Sequence, residues 1–271
     1  MRARLSPLLL ALLAGAALFC SVSRAAAAQM TTVTVCDDVA EWPPFTYRER
    51  DVSGQPGSRV LGFSVEVLRR ILSPHRIAVQ IELLPWVRCL REVESGQLFQ
   101  MALNASFSQE REARFLFSQP YYETTHTYFY SRKVYPRGLR LRDVAELSRY
   151  QICGVHGYNY SAYGLSDQQV DRGALDFARV IAKLHAGRCE IGIEKLEAVA
   201  GFKRLGRDLL GDPDLGHAPI PGLARGEFHM LISRQHPQGE ALRALIDRGL
   251  KTLRESGELR QLRQLRQRYL S

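Results

Sequence analysis

Twice along this chain an apolar stripe at helical spacing stops at a glycine and runs directly into an apolar strand. In the first copy Trp86, Leu90 and Val93 mark the helix, Gly96 closes it and Leu98 to Leu103 is the strand. In the second, Phe177, Val180, Ile181 and Leu184 precede Gly187, and Cys189 to Ile193 follows. Glycine suits such an end because a residue without Cβ takes the left-handed conformation freely. Strands joined through helices imply largely parallel sheets with helices packed on them, and two well-separated copies predict two such sheets.

The segments around the copies extend the pattern. Thr31 to Cys36 alternates Val33 and Val35 with threonines, as a half-buried strand does, and Ile77 to Leu83 alternates likewise. Between them, RERDVSGQPGSR (48–59) reads as a polar turn, and Val65, Leu68 and Leu72 as a helix stopped at Ser73-Pro74. Thr124 to Lys133 is extended, the basic RGLRLRDVAEL that follows starts a helix, and a crossover between lobes falls here. Leu242, Leu245, Ile246 and Leu250, then Leu262, Leu265 and Tyr269, make two closing helices whose arginines lie mostly off the stripe, as on a solvated face.

At 45% hydrophobic and 24% charged, the 271 residues have an ordinary globular composition, which excludes disordered, collagenous and multi-span membrane proteins. The formal charge of +9 overstates the basicity. Residues 1–28 carry Arg2, Arg4 and Arg24 and no acid, so removing those three leaves +6. That stretch has the plan of a secretory signal: a basic start, an apolar run from Leu5 to Val22 and small residues Ala25 to Ala28. Cleavage near Ala28 and export to the periplasm are expected. In that setting the arginines point to an anionic ligand group or surface rather than to nucleic acid.

The order and spacing of these elements resemble the periplasmic solute-binding proteins of the polar amino acid ABC transporter type, over essentially the whole mature chain. The matching pieces are VTVCDDVAEWPPFTY, LGFSVEVL and ALNASFSQEREARFLFSQPYY. The last is the most specific, with a strand ending in small polar residues, a Ser-x-x-Arg turn (Ser108, Arg111) and Phe-Ser-x-Pro-Tyr (Phe117 to Tyr121). The resemblance implies a two-lobed α/β periplasmic-binding-protein fold (type 2), each lobe a mostly parallel sheet flanked by helices. Lobe 1 would comprise residues 29–122 plus 220–271 and lobe 2 residues 127–218, with crossovers at 123–126 and 219. It further implies a monomer that closes on a small polar solute, without cofactor, and hands it to a membrane permease or a sensor domain.

Site roles follow residue by residue from the resemblance. Arg111 clamps a carboxylate, for which a guanidinium fork is suited, and Ser106 and Asn104 add side-chain or backbone hydrogen bonds. Aromatic walls fall to Trp42 or Phe45 and to Trp86, although Trp86 also fits core packing above Leu90 and Val93. From lobe 2, ICGVHGYNYSAYG stands where the family has a glycine turn opening a helix. Asn159 is the carboxylate contact there and Tyr160 a wall. Where the family places an acid for the ligand ammonium, ungapped alignment of GRCEIGIEKLEA puts Lys195, with Glu194 one place earlier. Strand alternation sends neighbours to opposite faces, so a bulge is needed to bring Glu194 in.

Four cysteines remain after export. Cys36 and Cys89 fall in lobe 1, Cys153 and Cys189 in lobe 2, so Cys36–Cys89 and Cys153–Cys189 is the economical pairing, with buried free thiols as the other reading. No zinc-ligand spacing and no nucleophile-elbow, phosphate-loop or His-Glu-x-x-His motif occurs, so neither a metal nor an enzyme of those classes is expected. The enzymatic alternative is a cyclohexadienyl-dehydratase-like protein on the same fold, using Glu194 or Glu123 as general acid.

Overall fold

The computed structural model describes residues 30–267; the signal at 1–28 and Tyr269 lie outside them. In chain order the elements are β1 (Thr32–Asp38), β2 (Tyr47–Arg50), β3 (Pro56–Leu61), α1 (Phe63–Leu72), β4 (Ala78–Leu84), α2 (Trp86–Ser95), β5 (Met101–Ser106), α3 (Gln109–Arg114), β6 (Phe115–Phe117) and β7 (Tyr122–Thr124). The chain continues with β8 (His126–Ser131), β9 (Ile152–Val155), β10 (Val170–Ala174), α4 (Phe177–His185), β11 (Ile191–Lys195), α5 (Leu196–Gly201) and β12 (Leu215–Pro219). It then returns through β13 (Gly226–Ser233), α6 (Gly239–Glu255) and α7 (Glu258–Gln267).

Two sheets result. The first runs β4-β1-β5-β13-β6, with β7 also on β13; the second runs β10-β9-β11-β8-β12. Each has parallel pairs at its heart, β1 with β4 and β5, β9 with β10 and β11, and antiparallel strands beside them. Period-2 alternation explains how each sheet fills two faces. On β8, Tyr128 and Tyr130 join the cluster under the 135–165 loops, while Phe129 between them packs with Phe177, Val180 and Leu184 of α4. In the first sheet Cys36 turns toward α2 and joins Trp86, Leu90 and Val93. Disulfides fasten both layers: Cys36–Cys89 ties β1 to α2, and Cys153–Cys189 ties β9 to the turn between α4 and β11, with Cα atoms 5.6 and 5.8 Å apart.

Local chemistry sets the element ends. Gly96 caps α2 at φ 66°, as its position predicts. Gly62 precedes α1 at φ 128°, where an added Cβ would lie 2.1 Å from the Phe45 carbonyl oxygen. That closeness lets the Pro44 and Phe45 carbonyls accept from the Phe63 and Ser64 N–H groups, donors a helix start leaves unpaired.

Some local expectations are corrected. The 48–59 segment holds the hairpin β2–β3 on either side of its Gly/Pro turn, because Arg48 finds a ladder partner in Val60. The strand expected at 98–103 is β5 at Met101–Ser106, with Leu98 exposed. The basic segment after β8 forms a 3-10 helix at Val144–Arg149, capped by Asp143, in place of an α-helix.

The chain passes between the sheets twice, at residue 125 and along 220–225. The passages touch: the Ile220 N–H donates to the His126 carbonyl at 2.9 Å, and Thr124 pairs with Gly226.

Candidate functional site

Parallel strands present their carboxyl ends on one edge of a sheet, and there β1 delivers Asp37 and Asp38, β5 delivers Asn104 and Ser106, and β11 delivers Ile193, Glu194 and Lys195. With Trp42, Trp86, Arg111, Tyr158, Asn159, Tyr160, Tyr163 and Phe228 these line one cavity of ≈ 40 Å³ between the two sheets. That is room for a few waters, so a solute of amino acid size enters only when the lobes part or side chains move.

Ser108 caps α3, its Oγ accepting the Arg111 N–H at 3.2 Å, and this first turn holds the guanidinium in place. Arg111 is 7% exposed. It donates to the Ser106 carbonyl (3.1 Å), Ser106 Oγ (3.4 Å) and, across the cleft, the Gly157 carbonyl (3.3 Å), and lies 5.7 Å from the Trp86 ring centre. All these partners are uncharged, and burial pulls the guanidinium down to about 10. Among the described residues no carboxylate lies within ion-pair distance of it, whereas Arg114 pairs with Glu94 and Glu110 on the surface.

Asn104 lines the cavity at 8% exposure, with the polar atoms of its side chain engaged by the protein itself. Its φ of 58° turns the side chain inward, where the amide donates to Asp37 and to Thr46 Oγ1 and the oxygen accepts from Ser64, Tyr121 and Tyr122. Asp37, inside this network, is pushed up to about 8 by burial, against hydrogen bonds from Thr46, the Asp38 N–H and Asn104. Asp38 is raised to about 6, again by burial; its oxygens accept from the Ala40 N–H (3.0 Å) and the Tyr158 hydroxyl (2.9 Å).

Of the ring alternatives, Trp42 is in the wall, its edge-to-face contact with Tyr158 spanning the cleft at 5.6 Å. Phe45 is corrected to a core residue, fully buried and stacked on Tyr122 at 3.9 Å. Trp86 serves both readings, lining the cavity and packing in the core of its lobe. Asn159 Nδ2 donates to Ser106 Oγ (3.2 Å) and to the Phe107 carbonyl (2.7 Å), bridging the lobes directly. Tyr160 is buried with its hydroxyl accepting the Val155 N–H; Gly154 permits this, since a Cβ there would lie 2.3 Å from the ring. No α-helix opens after this turn: a 3-10 turn, Ser161–Tyr163, takes its place, which removes the helix-terminus anion site.

Glu194 and Lys195 both line the cavity, and without the bulge expected: β11 pairs with β8 in unbroken register through Glu194–Thr127 and Lys195–His126. The chain instead leaves the strand at Lys195, which caps α5. Glu194 Oε1 accepts the Lys195 N–H at 2.9 Å, and Oε2 is buried with no hydrogen-bond partner. Burial raises this carboxyl; Lys195 draws it back and Asp38 repels it upward. The Lys195 ammonium donates to the Tyr163 hydroxyl and to His126 Nδ1 (2.9 Å), and burial pulls it down. Burial and the Lys195 charge lower His126 to about 3, so its ring is neutral and Nδ1 accepts. Glu123 is not in this cavity; it sits at a separate mouth beside the 220–225 passage, 3.5 Å from Arg225.

Asp37, Asp38, Tyr158, Tyr163, Ile193 and Phe228 were not singled out from sequence. The two acids carry a readable signal, directly following the apolar run of β1. Phe228 carries none, because β13 reaches the site only through sheet topology.

Comparisons with known proteins agree with this architecture. An amino acid ABC transporter substrate-binding protein from Streptococcus pneumoniae, bound to L-arginine, superposes with a TM-score of 0.68 at 19% identity, covering 89% of this chain and 96% of that one. A histidine kinase sensor domain similar to periplasmic binding proteins gives 0.68 at 18%, covering 87% and 95%. An ancestral amino acid-binding protein described as a precursor of cyclohexadienyl dehydratase gives 0.62 at 15%, covering 86% and 93%. No curated protein sequence matches. The profile of the bacterial extracellular solute-binding proteins, family 3, matches residues 33–269, nearly everything the structure describes. With two α/β lobes meeting at a cleft of buried charges, the chain belongs to that family.

Proposed function

We propose that the protein binds a small amino acid or related carboxylate between its lobes and, once closed, is read by a membrane permease of an ABC transporter or by a sensor domain. The carrying observation is that one cavity holds a buried guanidinium with only neutral partners, Arg111, and a buried carboxylate oxygen with none, Glu194 Oε2. A zwitterion satisfies both at once, its carboxylate on Arg111 and its ammonium on Glu194, and uncompensated buried charge is what makes such pairing favourable. Arg111 belongs to the 29–122 plus 220–271 lobe and Glu194 to the 127–218 lobe. A ligand touching both favours the closed form, because only closure supplies both contacts. The passages at 125 and 220–225 serve as the hinge.

Calorimetry on amino acids and on their deaminated analogues tests the assignment. Glu194→Gln weakens amino acids by about tenfold or more and leaves the analogues nearly unaffected, since the amide cannot neutralise an ammonium. Equal effects on both series would remove Glu194 from the ammonium site.

A second reading, a dehydratase-like enzyme, is favoured by one observation: burial raises the Glu194 carboxyl toward the range a general acid needs. Turnover of prephenate or arogenate by the purified protein supports it, and binding without turnover rejects it.

A further inference from the structure

The cavity holds a second cation that a simple zwitterion leaves unmatched. Lys195 Nζ donates only to neutral acceptors, His126 Nδ1 and the Tyr163 hydroxyl, and among the described residues no carboxylate lies within ion-pair distance of it. Lys195 is 7% exposed, and Glu194 and Glu197 offset its charge only from beyond ion-pair distance, so no carboxylate is seated on its ammonium. The two cations lie toward opposite ends. Arg111 also borders a mouth of ≈ 660 Å³ beside α2 and α3, and Lys195 one of ≈ 680 Å³ at the hinge, and neither residue reaches the other's mouth. The acids belong to the cavity they share. Asp38 and Glu194 face the same space, and Asp38 is close enough to repel Glu194. Asp37, 1% exposed, is already served by its own donors from Asn104, Thr46 and the Asp38 N–H.

We infer that Lys195, oriented by Tyr163 and His126, is the receptor for a second anionic group of the ligand, so that the solute is an acidic amino acid with a carboxylate at each end and one ammonium. Each group then meets its opposite: one carboxylate on Arg111, the other on Lys195, and the ammonium on Glu194 with Asp38 beside it. The hydrogen bonds from Nζ to Tyr163 and His126 hold two of its three protons and fix its direction, and the third proton remains for the ligand. This inference rests on the amino acid reading of the site, and the two fail in different ways.

The test is calorimetry with L-glutamate, L-aspartate, L-glutamine, L-asparagine, L-arginine and glutarate, on the wild type and on Lys195→Met. An amide differs from its acid only by the charge Lys195 is said to read. The wild type is expected to bind glutamate or aspartate about 100-fold more tightly than the matching amide, the size of a lost buried charge contact. In Lys195→Met that ratio falls to near one. Because the wild-type ratio needs no variant, the test survives if Lys195→Met fails to fold. Equal wild-type affinity for acid and amide, or preference for arginine, overturns the inference and leaves the amino acid reading standing. An unchanged acid-to-amide ratio in a folded Lys195→Met also overturns it. Glutarate binding as tightly as glutamate supports the Lys195 anion end and removes the ammonium role of Glu194. No binding by any of the six overturns both.

Discussion

The Tyr158 hydroxyl donates to Asp38 Oδ2 at 2.9 Å, and with that bond a turn of one lobe is fastened to the end of the central strand pair of the other. It lies beside two further bridges, Arg111 to the Gly157 carbonyl and Asn159 to the Phe107 carbonyl. Part of the closed form is thus made by the chain itself. Tyr158→Phe removes a hydrogen bond to a buried carboxylate, an interaction of about 1.5–3 kcal/mol. Solution scattering is expected to show a larger radius of gyration, and affinity for the preferred solute to fall about tenfold or more. Unchanged scattering and affinity would mean the bond plays no part in closure.

Arg111→Ala is expected to abolish carboxylate binding, since truncating one partner of a desolvated charge pair costs about 2–5 kcal/mol. Arg111→Lys is also harmful, because a point-like ammonium cannot reproduce the fork that spans Ser106, Gly157 and a ligand. Circular dichroism separates loss of site from loss of fold; a folded variant with wild-type affinity contradicts the clamp.

Asp37 gives a pH dependence of stability. Its folded-state carboxyl is raised from 3.8 to about 8, so between those values the folded form holds a proton the unfolded chain has released. Its contribution is therefore complete at low pH and is lost as pH rises through about 8. The histidines His126, His217 and His229 are lowered and act in the opposite sense, but only below their unfolded value near 6.5. Lys195, lowered as well, opposes Asp37 toward alkaline pH in wild type and variant alike. The comparison to make is thus Asp37→Asn against wild type from pH 6.5 to 8.5, in denaturant melts. The wild type is expected to lose stability relative to the variant across that window, and parallel curves would show that Asp37 ionises like an exposed carboxylate.

Gly62→Ala tests the backbone that positions α1 and the loop bearing Trp42. The added methyl meets the Phe45 carbonyl oxygen at 2.1 Å, and φ is 128°, so neither the space nor the conformation accepts it. Loss of about 3 kcal/mol or more is expected, with the midpoint of unfolding as the readout. Gly54, also at positive φ but with open space around it, should suffer less from the same change.

How far the sequence could be read depends on how local each determinant is. α2 and its Gly96 cap were legible because stripe and stop lie within one short segment, and Arg111 was legible because the Ser108 turn that holds it is three residues away. The inward turn of Asn104 was not, since it is set by Asp37, Thr46, Ser64 and two tyrosines from four other segments. The same holds for the choice between Glu194 and Lys195. Alternation along β11 argues for one facing residue, while the turn into α5 at Lys195 admits both, and the direction of its ammonium is fixed by His126 and Tyr163, distant in sequence. The burial of Phe45 was not legible for a related reason: its ring is claimed by Tyr122, which arrives with β7 from far along the chain.

Cys36 immediately precedes the two acids of β1, and Cys89 lies one helical turn beyond Trp86, so their bond braces a carboxylate pair and an aromatic wall against each other. For anyone producing the protein, the compartment of synthesis then decides the quality of the product before any ligand is added. Material made in a reducing cytoplasm retains the apolar layers that shape each lobe, yet lacks the brace that sets the ring at its distance from the acids. Such a preparation would pass a test for secondary structure and fail one for affinity, and the remedy is an oxidising refold rather than a search for a different solute.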